Sequence, residues 1–137
     1  MIDPLERWRE FGEKPDFAGL LTFSGMPYTQ DAAELVAAAG SDGVRLLADT
    51  YHMNIEEDDI CAALPSVADV LGAVHLSDSN RGQPGTGHVP FPAVLGTLAA
   101  LGFDGVVSVE CRLRGEPREA VASCGRYLRG LVDAAAA

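Results

Sequence analysis

The chain has 137 residues, 47% of them apolar, which is enough for one hydrophobic core and too little for two ordinary domains. Its net charge is −10 and its ten basic residues are scattered, so no Lys/Arg patch is available to neutralise a phosphate backbone or anionic lipid; neither nucleic acid nor a membrane is expected as a partner. No apolar run approaches the roughly 18 to 20 residues that span a bilayer, Met1 to Arg7 does not read as a signal peptide, and the expected location is the cytoplasm.

In chain order, residues 1–28 form a segment without a clear period. Trp8, Phe11 and Phe17 are core candidates and Phe17 to Phe23 reads as a possible strand, but Gly12, Gly19, Gly25, Pro15 and Pro27 blur the pattern. From residue 29 to 137 short aliphatic runs alternate with helical stretches, the pattern of βα units around a parallel sheet. Thr29 to Ala39 is predicted as a helix, with Thr29 as its cap, Ala32, Leu35, Val36 and Ala39 on one face and Gly40 as its stop. Val44 to Asp49 is a nearly continuous apolar run, as buried parallel strands are.

Thr50 to Glu57 reads as a loop leading to a short helix near Asp58 to Leu64, which Pro65 interrupts. Ala73 to Ser77 is a second strand. Asp78 to Pro90, with three Gly and two Pro, is a polar, glycine-rich loop of the kind that lies over a site. Pro92 to Leu101 is a helix with proline in its first turn. Gly105 to Glu110 is a third strand, and Pro117 to Val132 a closing helix with Val121, Leu128 and Leu131 toward the core. Cys61, Cys111 and Cys124 are odd in number and lack Cys-x-x-Cys spacing, so they read as reduced thiols.

Asp49, His75 and Glu110 each stand at the carboxyl end of a predicted strand, the edge where sites form in α/β sheets and barrels. Two carboxylates and an imidazole make a donor set suited to Mn²⁺, Mg²⁺, Co²⁺ or Fe²⁺. Each has a plainer reading: Asp49 as a cap, His75 as a core histidine, Glu110 as a partner of Arg112 or Arg114. Three in matching positions favour the site. His52, three residues beyond Asp49, and Arg81, six beyond His75, reach the same edge and offer hydrogen bonds to a substrate; the alternatives are an exposed histidine and an ion pair of Arg81 with Asp78. His88 is open between the site and a role that only fixes the loop beside Pro90 and Phe91, Cys111 is a weak nucleophile candidate that reads better as a packed thiol, and Glu56 to Asp59 read as acids complementing a helix start.

The strings LLADTYHMNIEE (46–57), AVHLSDSNRGQPGTGHVPF (73–91) and GFDGVVSVE (102–110) together resemble the sugar phosphate isomerase/epimerase family of xylose isomerase-like TIM barrels, nearest to its D-tagatose and D-psicose 3-epimerase group. The resemblance implies an α/β fold that is a partial (β/α)8 TIM barrel, its C-terminal half with three to four βα units. It implies one divalent ion (Mn²⁺, Mg²⁺ or Co²⁺) on Asp49, His75 and Glu110, with Glu110 as catalytic acid/base and His52 and Arg81 on a small sugar substrate. The implied chemistry is isomerisation or epimerisation of a ketose by proton transfer beside a polarised carbonyl, through an enediolate-like intermediate.

The family also supplies a Glu from the strand before the Thr29 helix, whereas Gly19 to Gly25 contains no carboxylate; the nearest upstream are Asp16 and Glu13. A whole barrel takes about 250 residues, and three or four parallel strands cannot close alone. A homo-oligomer, or a partner supplying the rest of the barrel, is therefore expected. The alternative function is a truncated, non-catalytic homologue. An endonuclease-like relative is disfavoured by the presence of only three histidines and the acidic surface.

Overall fold

A computed structural model describes residues 19–21 and 29–135. Trp8, Phe11, Phe17, Asp16 and Glu13 lie outside the described residues. The elements run β1 (Gly19–Leu21), α1 (Thr29–Ala39), β2 (Val44–Asp49), α2 (Thr50–Glu56), α3 (Ile60–Ser66), β3 (Leu71–Leu76), α4 (Phe91–Ala100), β4 (Val106–Val109) and α5 (Pro117–Ala135). The strands form one sheet in the order β1-β2-β3-β4, and each pairs with its neighbour in parallel. Sequential parallel order with a helical crossover in every gap is the arrangement of consecutive βα units.

Side-chain alternation divides the strands into two faces. Val44, Leu46 and Ala48 of β2, and Val74 and Leu76 of β3, join the core cluster with Val36 of α1, Met53 of α2, Ile60 and Leu64 of α3 and Phe91, Val94 and Leu98 of α4. The opposite face carries the odd-numbered positions at the ends of β2 and β3, where Asp49 pairs in register with His75 and His75 with Ser108. Glu110, two residues past Ser108, falls on that same face by the period of two. The core therefore lies between the sheet and its helices, and the three chemistry-bearing residues share the other side.

α1 has the predicted bounds. Ala32, Ala33, Val36 and Ala39 are buried, and Gly40 ends the helix at φ +61°, a conformation that costs glycine little. Thr29 is the first helical residue rather than the cap, and its amide donates to Glu57 Oε1 at 2.6 Å. The predicted loop at Thr50 to Glu57 is instead α2, begun by Asp49, whose carboxylate accepts from Tyr51 N. Asp59 caps α3 by accepting from Cys61 N and Ala62 N, and Pro65 sits in its last turn.

Val121 does not face the core: it is 59% exposed, whereas Ala120 and Cys124 are buried. The buried stripe of α5 runs through Ala120, Cys124, Leu128 and Leu131 at spacings of four, four and three, one residue out of phase with Val121. β4 contributes nothing to the core cluster, and Val106, Val107 and Val109 are exposed. Among the described residues, no helix is long and apolar enough to cross a membrane.

Candidate metal centre

Asp49 ends β2 and begins α2, and its two oxygens face different ways. Oδ1 accepts from Tyr51 N at 2.9 Å, while Oδ2 lies 4.0 Å from His75 Nδ1. The capping role read as its plainer alternative is therefore real, and it leaves the second oxygen free. Thr50 locks the neighbouring strand ends together: buried, it donates from Oγ1 to Ser77 O at 2.7 Å and accepts from Ser77 N at 2.9 Å. The separation of Asp49 and His75 is thus set by the sheet register and by this clasp.

His75 Nδ1 is buried and lies 2.7 Å from Glu110 Oε2, but the approach is off the direction of a hydrogen bond and the nitrogen has none. A buried imidazole nitrogen without a hydrogen bond is costly unless something else occupies its lone pair. One donor atom each from Asp49, His75 and Glu110 lies within 4.8 Å of the other two. That convergence, together with the orphaned nitrogen and an oxygen-rich donor set without thiolate, fits a single divalent cation. Asp49 is 8% exposed and the Glu110 side chain 55%, so one wall of the cluster is buried and the other open.

The Asp78 to Pro90 loop covers this edge and is organised around Asp78. The carboxylate is fully buried and accepts from Ser79 N at 2.8 Å, Gly85 N at 2.9 Å and Val89 N at 3.1 Å. Burial pushes its pKa up, but backbone hydrogen bonds from Val89, Gly87, Ser79 and Gly85 outweigh that and hold it below the ordinary aspartate value. A Cβ on Gly87 would collide with the Asp78 carboxylate and with Ser79 Oγ. His88 takes the loop-fixing role of the two open to it: its Nδ1 is 3.0 Å from Ser79 Oγ, which also accepts the His88 amide.

Arg81 adopts φ +56°, uncommon for a residue with a Cβ, and its backbone is gripped on both sides. Its amide donates to Asp78 O and its carbonyl accepts from Arg112 N, each at 2.7 Å. The ion pair with Asp78, the plainer alternative for Arg81, is not formed. The guanidinium instead lies over the Tyr51 ring, 5.1 Å from its centroid, with Nη2 3.9 Å from Glu110 Oε1. Gln83 ties this loop to the one after β4, giving Nε2 to Arg114 O at 3.0 Å and taking Arg114 N at 3.2 Å.

His52 is half-buried and packs edge-on against Tyr51, at 5.2 Å between centroids; it is not part of the three-residue cluster. Glu110 faces His75 and Arg81, while Arg114 reaches Asn80 O through Nη2. Of the acids from Glu56 to Asp59, Glu57 bonds the first turn of α1 and Asp59 caps α3. Burial raises the Cys111 thiol, and burial followed by the charge of Cys111 raises Cys124; all three cysteines are free. A thiol held in its neutral form is a poor nucleophile. Thr50, Tyr51, Asp78 and Gln83 were not singled out as site residues from sequence; of their signals only the aspartate opening a glycine-rich loop was available.

Residues 18–130 match the family described as xylose isomerase-like TIM barrel. The chain belongs to this family. Among its family relatives, it is similar to 3-dehydro-D-guloside 4-epimerase of Escherichia coli (strain K12), 39% identical over 100 residues, which make up 72% of this chain and 38% of the relative. It is also similar to D-psicose 3-epimerase of Ruminiclostridium cellulolyticum, 36% identical over 81 residues, 59% of this chain and 28% of that one. The crystal structure of apo 3-keto-D-glucoside 4-epimerase from E. coli superposes with a TM-score of 0.74 at 35% identity, covering 79% of this chain and 41% of the other. The chain therefore spans about two fifths of the length of the first of these relatives, and its four consecutive parallel strands are part of a xylose isomerase-like barrel.

Proposed function

We propose that this chain carries the metal-binding edge and one acid/base carboxylate of a ketose epimerase or isomerase. The observation that carries the reading is the convergence of Asp49, His75 and Glu110 donor atoms around a buried His75 nitrogen that has no hydrogen bond. These three residues would hold one divalent cation, Mn²⁺, Mg²⁺ or Co²⁺. When bound, such an ion supplies Lewis acidity toward the keto and hydroxyl oxygens of the sugar.

The remaining chemistry belongs to the chain. Glu110 presents one oxygen to His75 and the other to Arg81, on a side chain open to solvent. A carboxylate so placed can take a proton from the carbon beside a carbonyl and return it. Arg81 offers donors for substrate oxygens next to that carboxylate, and His52, half-buried against Tyr51, would add a further contact to the substrate. The family relatives named for 4-epimerisation of a 3-dehydro-guloside and 3-epimerisation of psicose support a keto sugar as the substrate class.

A second reading, a metal-binding homologue without turnover, is favoured by one feature: Gly19 to Gly25 contains no carboxylate, so a second acid/base is not supplied there. Proton exchange separates the two. The Mn²⁺-loaded chain incubated with D-psicose in D₂O is expected to label the carbon beside the carbonyl, detected by NMR, and Glu110→Gln to lower the rate about 10²-fold or more. Metal binding without label would establish the second reading.

A further inference from the structure

We propose that Tyr51 is a positioning residue whose ring holds the Arg81 guanidinium beside Glu110, so that a keto sugar meets the cationic donor and the acid/base carboxylate in one fixed arrangement. The inference rests on the reading of the site given above and adds a residue that takes no part in it.

The Arg81 backbone is fixed, with its amide bonded to Asp78, its carbonyl to Arg112 and its φ at +56°. That anchors the Cα and leaves a long, torsionally free side chain to be placed. Two neighbours are available to place it. Glu110 Oε1, at 3.9 Å and on a side chain more than half exposed, is a weak restraint because surface ion pairs are screened and entropically costly. The Tyr51 ring is the stiffer neighbour. Arg81 Cζ lies 5.1 Å from its centroid, inside the roughly 6 Å at which a guanidinium is drawn to an aromatic face.

The backbone that carries the ring is tied to the candidate metal cluster. The Tyr51 amide donates to Asp49 Oδ1, and the ring meets His52 edge-on. One residue thus keys Arg81 to the strand end that carries Asp49. The contact is made by the aromatic face, so phenylalanine is the conservative replacement and leucine the disruptive one.

The test uses the chain labelled with ¹⁵N, with Tyr51→Leu, Tyr51→Phe, Arg81→Ala and the Tyr51→Leu/Arg81→Ala pair. In Tyr51→Leu the Arg81 Nε–H signal is expected to move to the position of a free arginine and sharpen, while Tyr51→Phe keeps it in place. D-psicose binding to the Mn²⁺-loaded chain, read from paramagnetic broadening of the ketose signals, should weaken about three- to tenfold in Tyr51→Leu and recover in Tyr51→Phe. Mn²⁺ affinity should stay within about twofold in both, and Tyr51→Leu should add nothing once Arg81 is alanine. An unchanged Arg81 signal in Tyr51→Leu, or additive losses in the double variant, would overturn the proposal. If the unsubstituted loaded chain binds no D-psicose, the reading of the site fails, and the Arg81 signal still decides whether Tyr51 positions it.

Discussion

Asp78 and His75 stand three residues apart at the end of one strand, and both bury polar atoms, yet their surroundings are opposite. Asp78 is fully buried with both oxygens occupied by amides of its own loop, from Ser79, Gly85 and Val89. His75 Nδ1 is buried with no hydrogen bond, facing two carboxylates. A saturated group of this kind stabilises a loop and has nothing left to give a ligand. An unsaturated one lowers stability slightly and keeps its lone pair for something else. The contrast separates scaffold from site within a single short segment.

The largest effect on stability is expected at the saturated end. Asp78→Ala leaves at least three inward-facing amides without an acceptor and should destabilise the chain by about 3–5 kcal/mol, measured by urea unfolding. The same carboxylate sets an acid limb. Because its folded pKa is held below the unfolded value, its contribution is present above about pH 4 and is lost as the pH falls through the folded pKa. That limb should be reduced in Asp78→Ala. If Asp78→Ala unfolds at the same urea concentration, the loop is not organised as described.

Gly87→Ala probes the same knot more gently. Its methyl group meets the Asp78 carboxylate and Ser79 Oγ, so the loop must shift, at about 1–3 kcal/mol. A neutral result would mean that the loop gives way without strain. By contrast His75→Ala, which removes a nitrogen that has no hydrogen bond and only the close approach of the half-exposed Glu110 carboxylate, should change stability by no more than about 1 kcal/mol. The asymmetry between the Asp78 and His75 variants is the comparison in measurable form.

Much of this arrangement was legible in the sequence, for reasons that can be named. The α1 stripe with its glycine stop and the unbroken apolar run of β2 are local signals that tertiary packing had no cause to override. The convergence of Asp49, His75 and Glu110 was legible because strand ends in a parallel sheet meet at one edge, so position along the chain carries positional meaning. Thr50 to Glu56 reads as a loop in the sequence because its apolar residues Tyr51, Met53 and Ile55 alternate and show no helical period; the α2 helix is begun by the Asp49 cap and tied to the strand ends by Thr50. In α5 Leu128 and Leu131 pack on the core as the sequence predicts, and only Val121 is one residue out, because it is more apolar than the Ala120 and Cys124 that are buried. The roles of Tyr51 and Gln83 had no local signature, since they depend on loops brought together in space: Gln83 meets Arg114 across 31 residues of sequence. The plainer alternative for Arg81, an ion pair with its near neighbour Asp78, gives way to Tyr51 and Glu110, because the Asp78 carboxylate is saturated by backbone amides.

Asp49, His75 and Glu110 are proposed to form one cation site. This is tested most directly by titrating Mn²⁺ into the purified chain by calorimetry, alongside Asp49→Ala and His75→Ala, with circular dichroism to confirm that all three are folded. The account predicts one ion per chain and binding weakened at least about tenfold in each variant, with little change in stability for His75→Ala. A folded chain that takes up no Mn²⁺, or whose affinity is unchanged in both variants, would contradict it.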